Sequence, residues 1–108
     1  MAKKARKNLS DILKDSQPIV LVRTYSAGVH FGRLVSRKGK EVELADARRV
    51  WRWYGANTLN EIAENGVDVS RSRISQPTKR IILPEAIEII DMAPEAVAIM
   101  EASPWATN

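Results

Sequence analysis

Cysteine is absent from the 108 residues, which removes disulfides, thiolate metal ligands and a cysteine nucleophile, and which fits a reducing interior such as the cytoplasm. Histidine occurs once, at His30, so one chain cannot assemble a two-histidine metal site. Apolar runs such as Ile19 to Val22 fall far short of the roughly 20 residues of a membrane span, and the basic start lacks the apolar stretch of a signal peptide. There is no Walker loop, no nucleophile elbow and no dinucleotide fingerprint. These absences argue against catalysis, a metal or a cofactor, and for a non-enzymatic protein that meets no membrane. Phenylalanine also occurs only once, so the three tryptophans must supply much of the large apolar area of one small domain.

Basic charge is present and unevenly placed. Residues 1–7 hold Lys3, Lys4, Arg6 and Lys7 and no acid, which by itself equals the formal net charge of +4. Residues 23–80 carry twelve Lys or Arg against six acids, whereas residues 81–108 carry five acids and no base. A basic middle followed by an acidic end suits an anion-binding face or head-to-tail contacts in a homo-oligomer. The plainer alternative is that the two halves neutralise each other inside one domain.

The patterning divides the chain into a basic tail with a short helix (residues 1–17), one α+β domain (18–105) and a C-terminal end (106–108). Behind Asn8, the positions Leu9, Ile12 and Leu13 predict a helix of about two turns, ended by Gln17-Pro18. Ile19 to Val22 is apolar without a break and runs on through Tyr25, as a strand buried on both faces does. A turn at Ser26 to Gly28 leads to a second strand, Val29 to Ser36, in which Gly32 marks a bulge or a close backbone approach. Arg37 to Lys40 predicts a hairpin connection into a strand at Glu41 to Leu44, and Ala47 to Tyr54 reads as a further strand. Thr58 with Glu61 three residues later forms a capping box for a short helix closed by Asn65-Gly66. Residues 67–78 read as a polar loop around one short strand. Ile81 to Leu83 and Ala86 to Ile90 are strands on either side of Pro84, and Pro94 opens a last helix stopped by Ser103-Pro104. The sum is a small, mostly antiparallel sheet or partly open barrel of five or six short strands with two or three short helices.

The segment Arg48-Arg49-Val50-Trp51-Arg52-Trp53-Tyr54 interleaves guanidinium groups, which bind phosphate through paired hydrogen bonds, with indoles, on which nucleobases stack. On a regular strand Arg49, Trp51 and Trp53 share one face, and Arg48, Val50 and Arg52 share the other. A tryptophan in this position serves a core as readily as a stacking platform. Arg23 and Tyr25, with Gly28 and His30 beyond the turn, offer further donors to an anion. Arg71 and Arg73 add guanidiniums from a serine-bearing loop. His30, standing alone, reads as polar lining rather than as a general base.

The stretches Arg23 to Gly32 (RTYSAGVHFG), Ala47 to Trp53 (ARRVWRW), Gly55 to Ala63 (GANTLNEIA), Ser72 to Ser75 (SRIS) and Glu85 to Ile90 (EAIEII) resemble a family of small tailed-bacteriophage proteins known only as a domain of unknown function. The resemblance covers about residues 18–105. It implies a phage accessory protein working in the host bacterial cytoplasm, and supplies no activity. Composition then points to a homo-oligomer that holds a phosphate-bearing nucleotide, such as a host immune signal, and so silences defence. In that reading Arg48, Arg52, Arg71 and Arg73 meet phosphate, Trp51, Trp53 or Tyr25 meets the base, and His30 lines the site with Arg23 and Arg49. A single-stranded nucleic-acid binder of small-barrel type, using the same strand and the tail, is the main alternative. A virion or assembly component is the third.

Overall fold

The computed structural model describes residues 17–105, so the helix expected at Leu9 to Leu13 and the end beyond residue 105 lie outside the described residues. Six strands form one sheet: β1 (Ile19–Thr24), β2 (Val29–Lys38), β3 (Glu41–Arg52), β4 (Arg73–Ile74), β5 (Thr78–Leu83) and β6 (Ala86–Asp91). Helix α1 (Leu59–Asn65) lies between β3 and β4 in the chain, and α2 (Pro94–Glu101) follows β6. The order across the sheet is β4-β3-β2-β1-β6, with β5 also on β3, and every pair is antiparallel. This is the small α+β fold that the patterning predicts.

Successive residues of β1 serve two different cores, which is why its start is apolar without alternation. Leu21 joins Val29, Phe31, Val50 and Ile74 against α1 and α2. Val20 and Val22 join Val42, Leu44, Ala47 and Leu83 on the opposite side. The second core exists because the sheet curls. β5 rests on β3 and β6 on β1, the turn at Pro84 and Glu85 connects them, and the Ala86 N–H donates to the Lys40 carbonyl at 3.0 Å. Among the described residues no ladder joins β5 to β6, so the curled sheet stays open.

Glu41 to Leu44 and Ala47 to Tyr54 are not two strands but one. The expected break is a bulge in β3: Phe31 pairs with Arg48 and Arg33 with Ala45, which leaves one residue too many on β3. Asp46 there takes φ 51, a left-handed conformation that short polar side chains tolerate. Gly32 sits opposite, and a Cβ on it would lie 2.9 Å from the Ala47 Cα and 3.0 Å from the Ala45 carbonyl oxygen. The close approach expected at Gly32 is therefore what lets the strand bend.

The helix ends follow their sequence signals. The Thr58 hydroxyl accepts the Glu61 N–H at 3.2 Å, while the Glu61 carboxylate reaches the Asn57 N–H at 3.3 Å, one residue earlier than a capping box requires. Gly66, at φ 76, closes α1 with its N–H on the Ile62 carbonyl at 2.8 Å. Pro94 stands in the first turn of α2, and the Ala93 N–H donates to the Ala63 carbonyl at 2.8 Å, tying the two helices together.

Candidate nucleic-acid interface

A second bulge decides where the aromatic residues of β3 point. Val50 pairs with Ile74 and Arg52 with Arg73, so Trp51 is the extra residue. Val50 and Trp53, three positions apart, both pack on the helix-side core. A regular strand would put them on opposite faces, and the inserted residue restores them to one. The regular alternation that groups Trp51 with Trp53 is thus corrected. Trp53 is half-buried against the core, whereas Trp51 keeps 49% of its surface exposed.

Tyr54, outside the expected site, is the anchor of the arginine cluster. Its ring has the Arg71 guanidinium over it with Cζ 4.4 Å from the centroid, and Arg52 at 5.9 Å, within reach of cation–π attraction. The 68–72 loop brings Arg71 there. The Asp68 N–H donates to the Tyr54 carbonyl at 2.8 Å, and the Tyr54 N–H donates to the buried Ser72 hydroxyl at 3.0 Å. Asp68 accepts the Ser70 hydroxyl at 2.6 Å, which holds its carboxyl below the usual carboxylate range, with Arg71 contributing by its charge. Gly55, at φ 88, lets this loop close, because a Cβ there would sit 2.9 Å from the Asp68 nitrogen. Arg73 lies opposite Arg52 in the ladder.

Arg48 is placed differently from the expectation that it meets phosphate. It is 5% exposed, and its guanidinium donates to four backbone carbonyls: Ser75 at 2.7 Å, Met100 and Glu101 at 3.2 Å each, and Ser103 at 2.9 Å. It caps the C-terminus of α2, where carbonyls lack intrahelical partners and the dipole favours a cation. Burial lowers its pKa, and the nearby Glu101 partly offsets this.

The remaining expected residues fall into separate groups. Arg23 pairs with Glu88 at 3.5 Å and borders a cleft of about 440 Å³ with Trp53, Val29 and Leu59. Tyr25 stands at the β1–β2 turn with 75% of its surface exposed. His30 and Arg49 face each other across the β2–β3 ladder and line a cleft of about 240 Å³ with Ser75, Gln76 and Thr78. The Ala27 carbonyl accepts from His30 Nε2 at 2.9 Å. Burial lowers the His30 pKa, the Ala27 contact opposes this, and the Arg49 charge lowers it further.

The guanidiniums therefore do not gather around one enclosed cavity. What the structure does bring together at the far end of β3 and β4 is Tyr54 with Arg52 and Arg71 and Arg52 with Arg73, next to the exposed, bulged Trp51; these five residues form a strip. Among the described residues the ion pairs are Arg23–Glu88, Arg33–Asp46 and Arg80–Glu43, and the arginines of the strip take part in none. No group of three or more His, Cys, Asp or Glu among the described residues is arranged to hold a metal ion, and no described helix is long and apolar enough to cross a membrane.

Residues 17–100 match the family described as Domain of unknown function (DUF6948). The chain belongs to this family. The match spans both cores and the whole strip, so the Tyr54–Arg71 contact lies within the family domain. No curated protein and no solved structure matches the chain.

Proposed function

We propose that this protein binds single-stranded nucleic acid along the strip at the end of β3. The observation that carries the reading is a tyrosine with two arginines on its ring, an exposed tryptophan three residues before it in the chain, and a further arginine opposite in the ladder. Aromatic faces take bases whatever their sequence, and guanidiniums that form no ion pair among the described residues take successive phosphates. A surface open along its length accommodates a polymer, while a single nucleotide gains from enclosure. Fluorescence anisotropy with labelled 12-nucleotide single strands and the matching duplexes tests the reading. Single strands bind and duplexes bind more weakly; equal affinity for both, or none for either, refutes it.

A second reading, a mononucleotide ligand, draws on the 440 Å³ cleft that sets Trp53 beside Arg23. The Glu88 carboxylate already holds Arg23 and opposes a phosphate there, which ranks this reading second. A phage source and a place in the host cytoplasm follow the sequence resemblance, sequestration of a defence nucleotide follows composition, and all three belong to this proposal. A homo-oligomer is proposed on charge. Only Arg23–Glu88 among the described ion pairs joins the basic middle to the acidic end, and sedimentation at low and high salt reads whether those unlike charges meet between copies.

A further inference from the structure

We propose that the cleft between His30, Arg49 and the 75–78 segment accepts a single nucleobase by its hydrogen-bonding edge. This deepens the reading above and rests on it for the strand that would deliver the base.

The cleft holds about 240 Å³, with Ala47 and Ile81 as apolar lining, room for one base and little more. His30 is 1% exposed, yet it lines the space. Its Nε2 lies 2.9 Å from the Ala27 carbonyl. A carbonyl cannot donate, so Nε2 carries the proton, and in the neutral ring Nδ1 is an acceptor. No described residue donates to Nδ1. Burial and the Arg49 charge both favour that neutral ring.

Arg49 supplies the complementary group. Its backbone is clamped on both sides by Ser75: the Arg49 N–H donates to the Ser75 hydroxyl at 2.8 Å, and its carbonyl accepts the Ser75 N–H at 2.9 Å. Its guanidinium is left to the cleft, where Gln76 and Thr78 add an amide and a hydroxyl. An acceptor beside a donor matches the base edge, on which N–H donors and carbonyl or ring-nitrogen acceptors alternate. A phosphate dianion offers acceptors alone and would set lone pairs against Nδ1. The chemistry therefore favours a base over a free anion.

The test follows the His30 side-chain ¹⁵N and Trp51 indole resonances of the full chain at pH 7.5 while free nucleosides, inorganic phosphate and a single-stranded 12-mer are added in turn. Nucleosides should shift Nδ1 saturably, the 12-mer should shift both His30 and Trp51, and phosphate should leave Nδ1 unmoved. Gln76 is exposed, so Gln76→Ala folds and should weaken the nucleoside response severalfold. A shift of Nδ1 with phosphate alone, or none with nucleosides and 12-mer, overturns the proposal. A 12-mer that moves Trp51 but not His30 overturns the base site and leaves the strip standing. Nucleosides that move His30 while no 12-mer binds sink the strip and leave the base site.

Discussion

The Arg71 guanidinium lies over the Tyr54 ring, Cζ to centroid 4.4 Å, although seventeen positions of chain separate the two residues. Helix α1 intervenes, and the hydrogen bonds from Asp68 to Tyr54 and from Tyr54 to Ser72 hold the return of the chain in register. An exposed cation–π contact contributes about 0.5–1 kcal/mol, so its larger effect is to fix where the positive charge and the ring face stand.

Replacing Tyr54 or Trp51 with alanine should weaken single-strand binding by roughly 5- to 150-fold, the range of one base stacked on an aromatic. Tyr54→Phe keeps the ring and should stay within about twofold. Trp53→Ala behaves in the opposite way: it removes a side chain packed on the helix-side core and should cost about 2 kcal/mol of stability, whereas Trp51→Ala should cost little. Urea unfolding and anisotropy on the three alanine variants separate the two effects.

Arg48→Met should be among the most destabilising single changes on β3. It strips the carbonyls of Ser75, Met100, Glu101 and Ser103 of a shared donor, and a loss of about 3 kcal/mol is expected for buried charged hydrogen bonds. The measurement is the denaturation midpoint. At a temperature where the variant is folded, its affinity for single strands should match that of the wild type, because Arg48 faces α2 and not the strip.

Acid should destabilise the fold through His30. Its folded pKa lies below the ordinary value because burial disfavours the imidazolium, so the unfolded chain binds the proton more readily. The stabilising contribution is complete above about pH 6.5, the ordinary histidine value, and is lost as pH falls from there toward the lowered folded value. Unfolding free energies measured between pH 5 and 8 should rise with pH up to about 6.5 and level off above it, and His30→Gln should flatten the rise. A wild-type curve that falls with pH there would contradict the buried neutral ring.

Gly32→Ala should destabilise by about 1–3 kcal/mol, because the new methyl meets backbone, the Ala47 Cα and the Ala45 carbonyl oxygen, rather than a side chain that can move. Gly28→Ala meets nothing within 4 Å and costs only its left-handed conformation at φ 83, about 1 kcal/mol. Thermal melts rank the two.

The elements were legible where one local signal decides them. Thr58 and Gly66 mark both ends of α1, Pro94 opens α2, and the unbroken Ile19 to Val22 run announces a strand between two cores. The strip was less legible because bulges are set by pairing partners far away in the chain. Nothing local to Trp51 says that Ile74 and Arg73 will oppose Val50 and Arg52, so regular alternation places Trp51 and Trp53 on one face. Arg48 could not be told from Arg49 or Arg52 because its partners are backbone carbonyls of α2 and its flank, which carry no sequence signature. Tyr54 carries no local signal for the same reason: its arginine arrives from a loop whose closure depends on Gly55 and Asp68.

The salt dependence of single-strand affinity is the most direct measurement. If Arg52, Arg71 and Arg73 each meet a phosphate, log Kd should climb with log salt at a slope of about 2, or roughly a 20-fold loss of affinity between 50 and 200 mM. Each single Arg→Gln in the strip should reduce that slope by about 0.7. Affinity that is indifferent to salt, or a slope untouched by all three substitutions, would contradict a phosphate-tracking strip on β3 and β4.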